Sequence, residues 1–400
     1  MAIRFSEVLG KMKGSDLGPL LALTAQPDII SFAGGLPAPI TFPLKELEEV
    51  AVKVRQEDGA GAMQYGPSLG FMGLREAIAA RMNRMYVPMG MTEISAKNIM
   101  IVTGSQQGLD ITGRVFLDKD DVVLIESPSY LGAIGAFALE QPKFVEVPTD
   151  GEGMIPEELE KILASDAKVK MIYVIPDFQN PTGITWPMER RKAFMDIINR
   201  YDFPVLEDDP YGELRFDGDK VPSLKSMDTK GNIIFLGSFS KILMPGLRIA
   251  WMVADPTIID KVVKLKQAVD LQSSSFGQRQ TSYYIDMFDL DEHVAKIKAL
   301  YKKRRDLMCE SMKKYFPEGI TFTYPEGGLF TWVTLPEGMD AKELMPKVLA
   351  KNVAYVPGGP FYPHGGNANH FRLNYSNMPE DRIVEGIKRL ADVLKEELAK

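Results

Sequence analysis

The sequence predicts an α/β protein: a large domain with a mostly parallel sheet between two layers of helices, then a smaller α+β domain. Three observations carry this. Short, unbroken β-rich apolar runs recur between about residues 98 and 255, as strands covered on both faces require. Helical patterns fill the gaps between the runs. Beyond about residue 290 the alternation stops and a long charged helical stretch begins.

The first 50 residues hold clustered turn signals, Gly34-Gly35, Pro37, Pro39 and Pro43, and read as an arm or as part of the small domain. Residues 51–290 form the predicted large domain. Its strands are expected at 99–102, 122–125, 171–175, 205–206, 233–236 and 249–253. One intervening helix places Phe194, Ile197, Ile198 and Tyr201 on a single face, with Pro187 near its start. Residues 291–400 form the predicted small domain. It opens on a helix over about 291–315, continues through strands at 330–333 and 371–373, and closes on a helix striped by Ile383, Ile387, Leu390 and Leu394.

Composition narrows the function. A chain of 400 residues buries a large core without covalent staples. The single cysteine, Cys309, cannot form an internal disulfide and reads as a small, half-buried residue. The formal charge is −7 and the basic residues are dispersed, so nucleic acid is not an expected partner. The densest basic run, Lys302-Lys303-Arg304-Arg305, reads as the wet face of a helix. No apolar run reaches the roughly 20 residues that span a bilayer. Residues Met1 to Phe5 carry no signal-peptide block, so no membrane partner is expected and the expected location is cytoplasmic. His293, His364 and His370 lack metal-ligand spacing, and no metal is expected.

Open α/β sheets bind ligands beyond the carboxyl ends of their strands. Five predicted ends carry complementary polar groups. Thr103-Gly104-Ser105-Gln106-Gln107-Gly108 follows a strand and opens a helix, a place for an anion, with Ser105 and Gln106 as added donors. Ser127-Pro128-Ser129-Tyr130 offers the Tyr130 ring for stacking. Asp177-Phe178-Gln179-Asn180-Pro181-Thr182-Gly183 is a turn whose Asn180 amide can donate, and a place for a cis peptide before Pro181. Glu207-Asp208-Asp209-Pro210-Tyr211 sets acids at a strand mouth, where burial is costly without a cationic partner. Asp208 and Tyr211 are the candidates there, and Asp209 is a solvated or capping neighbour. Last, Ser238-Phe239-Ser240-Lys241 ends an apolar run, with Arg248 one loop later. Lys241 is the candidate nucleophile, while Ser238 and Arg248 are anion donors, with Ser240 as a further candidate. Phosphate, planar ring, phenolate oxygen, ring nitrogen and aldehyde together describe one ligand, pyridoxal 5′-phosphate.

With these motifs in hand, the chain resembles a fold-type-I pyridoxal-phosphate aminotransferase of the class I/II group. It is most similar to the branch with 2-aminoadipate and kynurenine aminotransferases. The likeness runs from Ser31-Phe32-Ala33-Gly34-Gly35-Leu36-Pro37 to Phe371-Arg372-Leu373-Asn374-Tyr375-Ser376, through Gly-Ser-Gln-Gln-Gly, Asn-Pro-Thr-Gly, Glu-Asp-Asp-Pro-Tyr and Ser-Phe-Ser-Lys. The resemblance implies a sheet of the seven-stranded type. It implies that Lys241 bonds the cofactor aldehyde and later moves the Cα proton. Asp208 then pairs with the ring nitrogen, Asn180 and Tyr211 bond the phenolate oxygen, and Tyr130 stacks on the ring. Ser105, Gln106, Ser238 and Arg248 hold the phosphate. Tyr65 reaches the phosphate of a neighbouring subunit, making the active unit a homodimer with shared sites. Arg372 grips the substrate α-carboxylate through its two-pronged guanidinium, and Asn180 and Gly35 border the substrate.

The implied reaction moves an amino group from an L-amino acid to a 2-oxo acid, with 2-oxoglutarate as acceptor, in a ping-pong cycle. There is one departure. Branch members acting on dicarboxylic side chains often carry an arginine in the arm, whereas Ser15-Asp16-Leu17-Gly18-Pro19-Leu20 places Gly18 there. Aromatic, branched or other apolar amino acids therefore compete with aminoadipate as substrate. A carbon–sulfur lyase or decarboxylase shares these motifs. A transcription regulator with an aminotransferase-like domain needs a winged helix ahead of a pattern that here starts by residue 31.

Overall fold

A computed structural model describes residues 3–11, 26, 28–165 and 168–400. Its main sheet comprises β2 (Ile99–Val102), β3 (Val122–Ser127), β4 (Lys143–Asp150), β5 (Gly153–Met154), β6 (Val169–Val174), β7 (Val205–Asp209), β8 (Ile233–Ser238) and β9 (Ala250–Val253). β1 (Ile30–Ser31) lies outside it. The order across the sheet is β2-β9-β8-β7-β6-β3-β4-β5. β9 runs antiparallel to both neighbours and β5 is antiparallel to β4, while the other pairs are parallel. The expected seven strands are thus joined by a two-residue eighth, β5.

The central strands form because β-branched and aromatic residues run without a polar break, and apolar clusters on both faces bury them. β8 is buried along its whole length. β4 escaped the sequence reading for the opposite reason: Lys143, Glu146 and Asp150 interrupt it, and most of it is half-exposed near the sheet edge. β2, β3, β6, β7 and β8 all point the same way, so the turns that follow them share one rim.

The second sheet, β10-β11-β14-β13, joins β10 (Thr321–Phe322), β11 (Phe330–Thr334), β13 (Val356–Pro357) and β14 (His370–Asn374). The helices Leu290–Tyr315 and Glu380–Leu398 pack against each other and share one hydrophobic cluster with this sheet. Ile383, Ile387, Leu390 and Leu394 of the last helix are fully buried, each stabilising by about 1.5–3 kcal/mol. In the helix Met188–Ile198, Phe194, Ile197 and Ile198 are buried, while Tyr201 lies past its end.

Residues 30–36 bind the C-terminal part. β1 pairs in parallel with β12 (Val353–Ala354), the Asn374 amide donates to Phe32 O, and Ser376 Oγ donates to Leu36 O at 2.7 Å. A Cβ at Gly386 would stand 2.6 Å from the Phe32 ring, so the last helix needs glycine where this strap crosses it.

Two expectations are corrected. The basic run is not uniformly wet: Arg304 and Arg305 are buried. Arg304 donates to Glu380 and to Ser376 O, and Arg305 donates to Asp217 and Pro325 O. Cys309 is fully rather than half-buried, and burial pushes its thiol up to about 12. Among the described residues no helix is long and apolar enough to cross a membrane, and no cluster of His, Cys, Asp and Glu could hold a metal ion.

Candidate active site

The rim turns enclose a cavity of about 460 Å³. Lys241 enters it from the turn after β8. That turn is anchored by buried Phe239, whose ring lies 4.8 Å from that of Trp251, and by Ser238 Oγ, which accepts from the Ser240 amide. Lys241 is half-buried, and its Nζ donates to Gly35 O at 2.7 Å. Desolvation, with Arg372 and Arg248 nearby, pushes its pKa down to about 8. A neutral amine is therefore far more accessible than on a solvated lysine.

At one end the helix Gly104–Phe116 points its N-terminus at the cavity. Gly104 has φ +71°, and a Cβ there would lie 2.2 Å from Arg248 Nη2. The guanidinium thus rests on the glycine, and two sources of positive potential meet. Ser105 Oγ is buried without a hydrogen-bond partner. Gln106 also lines the cavity, but its amide donates to Gly132 O at 2.9 Å, so its side chain is already engaged. Ser238 and half-buried Tyr130 complete this end.

At the floor Asp208 is 2% exposed. Its Oδ2 accepts from Tyr173 at 2.9 Å, while Oδ1 has no partner. Desolvation raises its pKa to about 7, against the Tyr173 hydrogen bond, and Asp209 adds to the rise. Asp209 takes the capping role: its Oδ1 accepts from the Gly212 amide at 2.6 Å. Glu207 is buried and accepts from the Leu224 and Lys225 amides. Asn180 follows a buried turn and precedes a cis peptide at Pro181. Its Nδ2 lies 3.4 Å from the Tyr211 hydroxyl, so two donors converge on one spot.

On the far wall, Arg372 projects from β14. Its Nη1 donates to Asn180 Oδ1 at 2.6 Å and its Nη2 to Ala33 O at 2.8 Å. The guanidinium lies 4.1 Å from the Phe330 ring centre and 5.2 Å from that of Phe361. Nε has no partner, and desolvation lowers the pKa to about 10. Gly35 lines the same wall, where a Cβ would meet the Phe330 ring at 3.0 Å.

Every candidate except Tyr65 lines this cavity. Tyr65 is 79% exposed and lies outside it, so one chain alone does not bring it to the site. Gly18 falls outside the described residues. The sequence reading missed Phe330, which looked like any strand aromatic, and Tyr173, a single polar tip inside an apolar run.

A model of the family "Aminotransferase class I and II" matches residues 40–390. The chain belongs to this family. It is 45% identical over 99% of its length to aromatic-amino-acid aminotransferase 1 of Thermococcus litoralis, covering 95% of that protein. The kynurenine aminotransferase of Pyrococcus horikoshii, solved in complex with PMP, superposes with a TM-score of 0.94 at 45% identity, covering 98% of this chain and 97% of that one. An α-aminoadipate aminotransferase of Thermus thermophilus, complexed with N-(5′-phosphopyridoxyl)-L-leucine, gives 0.92 at 38% identity, over 99% and 98%. The present protein is thus a fold-type-I, pyridoxal-phosphate-dependent amino-acid aminotransferase. Its residues fit the cofactor. A bare carboxylate oxygen at Asp208 suits a cationic ring nitrogen, and unpartnered Ser105 Oγ beside Arg248 and a helix N-terminus suits a phosphate.

Proposed function

We propose that this aminotransferase acts through Lys241 as the amine that bonds the cofactor and as the base that moves the substrate's Cα proton. One observation carries the reading: a half-buried lysine of lowered pKa shares a cavity with the bare oxygen of Asp208 and with Arg372. Pyridoxal 5′-phosphate, when bound, supplies an aldehyde for the amine and a cationic ring that accepts the electron pair left at Cα. Ser105, Gln106, Ser238 and Arg248 hold the phosphate, Gln106 through its backbone. Asp208 keeps the ring nitrogen protonated, Asn180 and Tyr211 donate to the phenolate oxygen, and Tyr130 covers one ring face. Arg372 binds the α-carboxylate with Asn180 beside it, and the Gly35 carbonyl orients Lys241 Nζ.

The donor departs as a 2-oxo acid before the acceptor enters, a ping-pong order. Leu131, Ile175, Phe330 and Val356 give the cavity apolar walls. Among the described lining residues the cations are Lys241, Arg248 and Arg372, each with a role already. Aromatic and other apolar amino acids are therefore the favoured donors, in keeping with the aromatic-amino-acid and kynurenine relatives. 2-Oxoglutarate is the proposed acceptor. The active unit is a homodimer in which Tyr65 reaches the phosphate of the neighbouring site, and residues 51–290 and 291–400 form its large and small domains. Single-turnover spectroscopy with phenylalanine, kynurenine, leucine and aminoadipate tests this. The yellow cofactor band should vanish fastest with the aromatic donors and return with 2-oxoglutarate. Release of pyruvate and ammonia from cystathionine without band conversion would instead identify a lyase.

A further inference from the structure

Tyr173 lies outside the cavity lining, yet it is the one side chain that hydrogen-bonds the Asp208 carboxylate among the described residues. It belongs to β6, where every neighbour in the run from Met171 to Ile175 is apolar and buried. Register explains the contact. Tyr173 pairs with Leu206 of β7, and Asp208 is two residues further on, so both side chains leave the same face of the sheet. The Phe137 ring stands edge-on to Tyr173, with centroids 5.6 Å apart and planes at 74°. A hydroxyl so framed has little freedom to leave its acceptor. Burial also keeps it protonated, since its pKa lies well above the ordinary tyrosine value.

We infer that Tyr173 is a positioning residue for the transamination: its hydroxyl holds one oxygen of Asp208, leaves the other free for the cationic ring nitrogen, and favours the ionised form of the carboxylate. This rests on the cofactor-binding roles proposed above. The physical argument is one of balance. Desolvation drives a buried carboxyl towards its neutral form, which cannot stabilise a cationic ring. A neutral donor opposes that drift without adding a second positive charge to compete with the ring. A guanidinium or ammonium in the same place would pair with Asp208 and weaken its hold on the cofactor. The other ionisable groups around the Tyr173–Asp208 pair are Asp209 beside Asp208, buried Glu126 of β3 against Tyr173, Tyr130 after β3, Tyr211 in the next turn, and Lys241, Arg248 and Arg372 across the cavity. Tyr173 alone among them donates to the carboxylate.

The test compares wild type, Tyr173→Phe and a form carrying 3-fluorotyrosine at 173, whose hydroxyl is a stronger donor. Three quantities are read: pyridoxal phosphate affinity of the apo-protein, the acid limb of the kcat profile, and affinity for the carbocyclic cofactor analogue with CH in place of the ring nitrogen. Tyr173→Phe should weaken pyridoxal phosphate binding about tenfold. It should also move the acid limb up by about one pH unit, with KM for the amino donor unchanged. Fluorotyrosine should move the limb down, which keeps the test open even if the phenylalanine variant does not fold. Affinity for the carbocyclic analogue should be the same in all three. An acid limb unmoved by either substitution overturns the inference, as does an equal loss of affinity for both ligands. Failure of wild type itself to bind pyridoxal phosphate would instead refute the cofactor roles on which the inference rests.

Discussion

The two walls of the cavity are built in different ways. The cofactor wall comes from turns that each follow a strand of one sheet: Ser105 after β2, Tyr130 after β3, Asn180 after β6, Tyr211 after β7, Lys241 after β8. The parallel sheet brings them together as soon as its register forms. The substrate wall is a composite. Arg372 of the second sheet donates to Ala33, 339 residues earlier, and to Asn180 in the turn after β6, while Phe330 stacks on it from β11. One wall is a property of a sheet; the other exists only where the strap of residues 30–36 and both sheets meet.

Substitutions can separate the two. The largest effect belongs to Lys241→Ala, which should abolish turnover and remove the single borohydride-trapped cofactor adduct seen by peptide mass spectrometry. Wild-type turnover in that variant would place the chemistry elsewhere. Arg372→Ala should lower kcat/KM for amino donors about a hundredfold, because charge-assisted hydrogen bonds are lost. Cofactor affinity, measured by equilibrium dialysis, should change little. If the two fall together, the walls are not separable and the comparison fails.

Gly104→Ala should do the reverse. Left-handed backbone is costly for alanine, and its Cβ would displace the Arg248 guanidinium. Pyridoxal phosphate affinity should drop about tenfold, with donor specificity unchanged in a rate panel.

The smallest effect is on the pH dependence of stability of the apo-protein. Asp208 titrates near 7 when folded and at about 3.9 when unfolded. A raised carboxyl binds its proton more tightly in the folded state, so its contribution is complete below about pH 4 and is lost as pH rises through 7. Lys241, lowered to about 8, acts oppositely: stability rises as pH climbs from 8 through its unfolded value of about 10.4. Denaturant titrations should show Asp208→Asn more stable relative to wild type at pH 8 than at pH 4. Lys241→Met should flatten the slope above pH 8. An unchanged slope in either would mean that the group is solvated in the folded protein.

Much of this is legible in the sequence because residues that perform chemistry on a buried sheet break its apolar text. Lys241, Asp208, Asn180 and Ser105 each interrupt the pattern at a strand end, where a polar residue has no packing role. Arg372 was read only through resemblance, for a lone arginine in a short strand carries no pattern of its own. Tyr173 stayed hidden because a tyrosine in a strand is ordinary core, and only strand register sets its hydroxyl against Asp208. Tyr65 was read as part of the cofactor site, yet in the single chain it faces outward.

The amino-acid order by itself determined the α/β class, the strand ends that carry the cofactor groups and the long C-terminal helices, since these follow from local periodicity and from the cost of burying charge. Tertiary structure alone decided which distant groups touch: Gly35 O on Lys241, Asn180 and Ala33 on Arg372, Tyr173 on Asp208, and Arg304 and Arg305 turned inward. These contacts depend on register and packing between segments far apart in the chain, and no local pattern encodes a distance between them.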